Sequence, residues 1–241
     1  MLGEKAAELE QAWDQARCSF ENATPKVSAI TTLFETRNLD INMMREMAQD
    51  WDMYTLVKNK MFLNSVQLKH KDGKGIKLFS NGKIHITGSK SIMDSYRTAV
   101  ELVDEINFNL LAEIELVDVT VLMYNITIKL DKNIMLDSFY SACTQEPNVV
   151  AKYDPIKYSG LILKFTKPET DRTCCSLTYF STGTVFCNGV KQPADILLAY
   201  QHIVNKSKAF LLERVIVEKV KGKRGRKRKA EHMEFYQSLN L

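Results

Sequence analysis

With 241 residues, 45% of them hydrophobic and 26% charged, the chain has the size and composition of a soluble globular protein of one or two domains. Its net charge of +4 is uneven: eight of the eleven residues from Lys219 to Lys229 are Lys or Arg, leaving −4 for the rest (+4 minus +8). The first ten residues carry acids where a signal peptide needs an apolar run, and no stretch nears the ~18 apolar residues of a membrane span.

Five cysteines without a C-x-x-C pair argue against a disulfide framework or a zinc motif, which points to a reducing, intracellular compartment. The four histidines show no ligand spacing, and no P-loop, G-x-S-x-G or paired-carboxylate pattern occurs. Neither an enzyme nor a cofactor is expected.

In chain order, Leu9, Trp13, Ala16 and Phe20 fall at helical spacing and predict an amphipathic helix, packed on the body or docking a partner. Ile30–Leu33 reads as a strand, followed by a short helical pattern over 40–49. Phe79-Ser80-Asn81-Gly82-Lys83 opens a segment through Lys90 that returns as Phe180-Ser181-Thr182-Gly183-Thr184 through Lys191, at a constant offset of 101 (180 − 79 and 191 − 90). Five of the twelve paired positions are identical. Each copy places Gly where a hairpin turn needs positive φ, between runs of β-favouring residues.

A helical stripe follows each hairpin. It comprises Met93, Tyr96, Val100, Val103 and Ile106 after a Ser91 cap, then Ile196, Leu197, Tyr200, Ile203 and Val204 after Pro193. Val121–Tyr124 reads as a strand matching Ile30–Leu33, with a helical pattern over 133–142 after it. The fold class is therefore α+β, with one strand, helix, hairpin and helix unit used twice. Expected boundaries are a helical extension at 1–25, repeat one at 26–116, repeat two at 117–212 and a basic tail at 213–241. Half-sheets with helices on one face leave the other face free for a ligand.

Phe79–Lys90, Tyr153-Asp154-Pro155, Gly160-Leu161-Ile162 and Lys167-Pro168 resemble the signature steps of the TATA-box-binding protein (TBP) family, and the likeness spans about residues 26–212. The resemblance implies a saddle: one curved antiparallel sheet with helices on the convex face and duplex DNA in the concavity. It implies DNA-intercalating wedges at Phe62, Phe79, Tyr158 and Phe180, with Tyr158 departing from the family's Phe. Strand alternation adds Lys77, His85, Thr87, Thr178, Phe186 and Asn188 to the minor-groove face. The best ungapped match of the first strands adds Ser28, Ile30 and Thr32, then Met123, Asn125 and Thr127.

The family's central Asn pair falls here on Ser28 and Met123, so A·T discrimination does not follow from the sequence. Lys83, Lys90 and Lys191 are the phosphate-binding candidates, and Thr184 stands where a further lysine is expected. The basic tail (Lys221, Lys223, Arg224, Arg226, Lys227, Arg228 and Lys229) reads as a nuclear-import signal, a general phosphate binder or an AT-hook around Arg224-Gly225-Arg226.

Implied partners are A/T-rich promoter DNA, a B-type general transcription factor and RNA polymerase, with no membrane or small-molecule substrate. The implied function is a general initiation factor that bends promoter DNA. An architectural DNA binder with little sequence choice and a protein-binding scaffold stand as alternatives. The changed face residues suggest a divergent paralogue or a viral version, working in the nucleus or in a viral replication compartment.

Overall fold

A computed structural model describes residues 1–18, 24–41, 51, 53–57, 64–167 and 172–212. Its elements run α1 (Leu2–Cys18), β1 (Thr24–Arg37), β2 (Tyr54–Leu56), β3 (Ser65–His70), β4 (Gly75–Phe79), β5 (Lys83–Ser89) and α2 (Ile92–Leu110). Then come β6 (Glu115–Lys129), β7 (Asn133–Ile134), α3 (Leu136–Cys143), β8 (Val149–Asp154), β9 (Tyr158–Lys167), β10 (Arg172–Tyr179), β11 (Thr184–Val190), α4 (Pro193–Ser207) and β12 (Leu211–Leu212). Ten strands form one antiparallel sheet in the order β2-β3-β4-β5-β1-β6-β11-β10-β9-β8. The order is symmetric about the β1–β6 pair, so two copies of one unit join edge to edge through their first strands. The fold is α+β with a doubled unit, as the repeat implies, and its sheet is that of the saddle the resemblance implies.

Register fixes which face carries the core, because directly opposed residues in an antiparallel pair point the same way. Val27, Ile30, Thr32 and Phe34 of β1 oppose Ile126, Tyr124, Val121 and Val119 of β6, and all eight are buried. The same face continues outward through Ile84/Leu78 and Ile86/Ile76 in one half, and through Val185/Tyr179 and Cys187/Leu177 in the other.

The hairpins close as their sequences require. Gly82 and Gly183 both adopt φ +78. A Cβ would lie 2.9 Å from the Thr36 carbonyl oxygen at the first and 2.1 Å from that of Lys132 at the second.

Helices cover only the buried face. Ser91 caps α2 by accepting from the Asp94 N–H at 2.9 Å, as expected. The buried face of α2 is Ile92, Ser95, Thr98, Ala99, Leu102, Val103 and Ile106, rotated from the predicted stripe because α1 takes a second side. Tyr96 packs there, its hydroxyl 3.3 Å from where a Cβ on Gly3 would stand. In α4, Ile196, Ala199 and Ile203 face the sheet, while Leu197 is left 40% exposed.

Helix α1 is the ordinary packed helix of the sequence reading, resting on α2, α4 and β6. Trp13 stacks on Tyr124 with ring centres 4.3 Å apart and planes 5° from parallel. The Glu10 carboxylate accepts from the backbone N–H groups of Ile92 and Met93, so one helix caps the positive end of another. Phe20 and nearly all of the 40–49 segment lie outside the described residues.

Candidate nucleic-acid interface

The face turned away from the helices has no covering element among the described residues, and its two ends carry aromatic groups at equivalent positions. In repeat two, Tyr158, Phe180 and Phe186 form a chain of edge-to-face rings. The Tyr158–Phe180 centres are 6.0 Å apart and the Phe180–Phe186 centres 5.3 Å. Tyr158 is 47% exposed and Phe186 36%. Gly160 makes the cluster possible. A Cβ there would fall 2.7 Å from Tyr158 Cε1, 2.8 Å from Thr178 Cγ2 and 3.3 Å from Phe180 Cε1. Thr178 opposes Phe186 in the ladder and is buried beneath this group, so it supports the rings without reaching the surface.

Repeat one places Phe79 against His85, with ring centres 4.8 Å apart. These residues match Phe180 and Phe186 at the 101-residue offset. Burial, then Lys77 and Lys83, hold the His85 pKa below its ordinary value, favouring the neutral ring. Lys77 opposes His85, and Thr87 opposes Gly75, donating to the Gly75 carbonyl at 3.2 Å. Phe62 lies outside the described residues.

Between these ends the strip is mostly uncharged, with Lys26 opposite Thr127. Met123 is 39% exposed, and Thr127 opposes Phe186. Ser28 bonds Thr127 hydroxyl to hydroxyl. The Gly189 N–H donates to Asn125 Oδ1 at 2.9 Å, so this carboxamide oxygen bridges β6 to β11 where their register shifts. Asn188 is exposed opposite Ser176.

Two expected face residues point the other way. Ile30 and Thr32 are fully buried on the helix side, and the Thr32 hydroxyl bonds that of Ser95 in α2. β1 carries register irregularities at Val27/Ala29 and at Ile30/Thr31, and these shift the alternation. The buried pairs Val27/Val121, Ile30/Tyr124 and Thr32/Ile126 share an offset of 94. The ungapped match used 95 (123 − 28), and one residue of slip turns a strand over. Thr31 and Leu33 take the open positions, opposite Thr87 and His85.

The lysines divide. Lys191 is exposed, Lys83 lies 3.4 Å from Glu35, and the Lys90 ammonium donates to the Ser28 carbonyl. The sequence reading missed Lys69, Lys152 and Lys164, which alternation and pairing place on the open face of the outer strands. Period-2 alternation from Phe180 through the register of β10 and β9 would have found Ile162 and Lys164. The basic tail from Lys221 to Lys229 lies outside the described residues.

Residues 118–210, which is repeat two, match the family model "Transcription factor TFIID (or TATA-binding protein, TBP)". The solved structure of Methanococcus jannaschii TBP superposes with a TM-score of 0.60 at 17% identity, over 77% of this chain and 98% of that one. Repeat two is similar to the TBP family, and the chain shares the fold of that solved structure. The chain is 26% identical over 138 residues to the TATA-box-binding protein of Pyrococcus horikoshii, covering 55% of this chain and 64% of that protein. It is 28% identical over 120 residues to that of Thermoplasma acidophilum, covering 49% and 60%. The chain thus spans under two thirds of the length of these curated relatives. The fold likeness reaches further than the sequence likeness, as expected where buried alternation is kept and surface chemistry has changed.

Proposed function

We propose that the open face binds duplex DNA through the minor groove and bends it, in the role of a general transcription initiation factor. The observation that carries this reading is the pair of aromatic groups at the two ends of one uncovered sheet, Phe79 with His85 and Tyr158 with Phe180. Aromatic side chains entering between base steps replace lost stacking and kink the duplex, at a few kcal/mol per opened step; the TBP family is the type case of this mechanism. The mostly uncharged strip between the ends suits a groove floor of base edges and sugars. Lysines toward the margins, including Lys69, Lys152, Lys164 and Lys191, suit the phosphate rails.

In the same reading the helix-covered face receives a B-type general transcription factor and RNA polymerase, and the Lys219–Lys229 run directs nuclear import.

One observation favours low sequence selectivity. The centre carries Met123 and Ser28 where the resemblance implies an Asn pair, which leaves fewer amide N–H donors for the acceptors that A·T pairs present in the minor groove. Binding of the full chain to an A/T-rich TATA duplex, a G·C-rich duplex and a scrambled duplex separates the possibilities. Preference for TATA supports promoter recognition, and equal affinity for all three supports an architectural binder. Loss of bending when the face alone is altered by Phe79→Ala with Phe180→Ala ties the activity to this surface. Unchanged binding and bending by that variant contradicts the proposal.

A further inference from the structure

Repeat two contains a second cluster, on the helix side of the sheet and away from the aromatic face. Cys143 ends α3, Glu146 lies in the turn after it, and His202 lies in α4. Their sulfur, carboxylate oxygen and imidazole nitrogen all lie within 4.8 Å of one another. The His202 ring is held from outside. Its Nδ1 is 3.2 Å from the buried Tyr179 hydroxyl, and Phe165 and Phe139 flank it with ring centres 4.8 and 6.1 Å away. That leaves Nε2 as the inward atom. It stands 3.4 Å from Glu146 Oε2, within ion-pair reach, yet makes no hydrogen bond although the ring is only 6% exposed.

A buried imidazole nitrogen facing a carboxylate and a thiol is the arrangement a divalent cation completes. Metal-ligating histidines are commonly fixed by a hydrogen bond at their other ring nitrogen. We propose that Cys143, Glu146 and His202 form a zinc site.

The donor set of one thiolate, one imidazole and one carboxylate suits zinc. Tetrahedral ligands at the usual bond lengths stand about 3.5 Å apart, so closing the present cluster needs shifts of roughly an ångström. The other Glu146 oxygen, Oε1, is 3.7 Å from the Lys206 ammonium and need not move. Binding forms a Zn–S bond as the Cys143 thiol releases its proton to solvent. Thiolate and carboxylate then balance the two positive charges of the ion.

Glu146 and His202 also line a cavity of about 390 Å³, together with Asn148, Phe165 and Asn205. The fourth coordination position can therefore take water from that side. The site would tie α3, its following turn and α4 together. At the 101-residue offset His202 corresponds to Glu101, so the site belongs to repeat two alone.

The experiment is a Co²⁺ titration of the full, reduced, chelator-treated chain, followed by absorbance. The expected result is one equivalent bound, with a thiolate-to-cobalt band in the near ultraviolet and tetrahedral d–d bands, both abolished by added Zn²⁺. Cys143→Ser should remove the thiolate band. Glu146→Gln, at a partly exposed residue, should weaken Co²⁺ binding by tenfold or more while the circular dichroism stays native. Zn²⁺ should raise the melting temperature of the wild type and leave that of His202→Gln unchanged. A wild-type chain that gives no thiolate band at saturating Co²⁺ overturns the proposal. So does a band that survives unchanged in Cys143→Ser, since it would place the metal on Cys174, Cys175 and Cys187 or on another thiol.

Discussion

The two repeats share a frame and differ at its surfaces. Both place Gly at φ +78 in the hairpin, and both bury the same alternate positions. Yet α2 receives a side-chain cap from Ser91 and a second from Glu10 of α1, while α4 has no side-chain cap and starts on Pro193. On the open face, repeat two stacks Tyr158, Phe180 and Phe186, whereas the described part of repeat one sets one phenylalanine against a histidine. Turn and core positions are constrained by both chain geometry and packing, so they stay alike. Helix ends and open-face positions answer only to their local partners, so the halves diverge there.

The largest effect should come from the element that joins the halves. Trp13→Ala removes the stack on Tyr124 at the sheet centre and should cost about 3–5 kcal/mol in thermal or denaturant unfolding. A loss below ~1 kcal/mol would mean that α1 does not brace the saddle.

Next come the turn glycines. Gly183→Ala puts a Cβ 2.1 Å from the Lys132 carbonyl oxygen, and Gly82→Ala puts one 2.9 Å from that of Thr36. We expect roughly 3 kcal/mol or more for the first and about 1–2 kcal/mol for the second, from left-handed strain plus overpacking. Equal losses would contradict the tighter packing of the second turn.

Glu10→Ala should cost about 1 kcal/mol and speed hydrogen exchange at the start of α2 but not of α4.

The smallest effect concerns pH. Because the folded protein holds the His85 pKa below 6.5, the unfolded chain takes up this proton first. His85 therefore makes stability fall as pH drops through 6.5 toward the folded pKa, and has no effect well above 6.5. His85→Phe should flatten that part of the stability–pH curve, and an unaltered slope would show that His85 is not the group responsible.

Much of this frame was legible in the sequence because it rests on local rules. Glycine at each turn, period-2 apolar residues beside it and a helical stripe after it identify the repeat, and the repeat identifies the fold. Phe79, Tyr158, Phe180 and Phe186 could be placed on one face because β4, β9, β10 and β11 keep simple alternation there. Ile30 and Thr32 were misplaced because nothing in residues 27–32 announces a bulge, and a bulge reverses every inference from period. The exposure of Leu197, the Glu10 cap on α2 and the meeting of Cys143 with His202 depend on tertiary packing across distant segments. Gly160 did leave a signal, as a glycine inside a strand run, which marks close approach of another group.

The most direct test of the account is end-to-end FRET on a TATA duplex bound by the full chain and by the Phe79→Ala, Phe180→Ala variant. Bending is the readout because a basic tail can bind DNA but supplies no wedge. The account predicts a shortened end-to-end distance with the wild type and a nearly straight duplex with the variant, at unchanged circular dichroism. An equal bend from both proteins, or a straight duplex under saturating wild type, would contradict it.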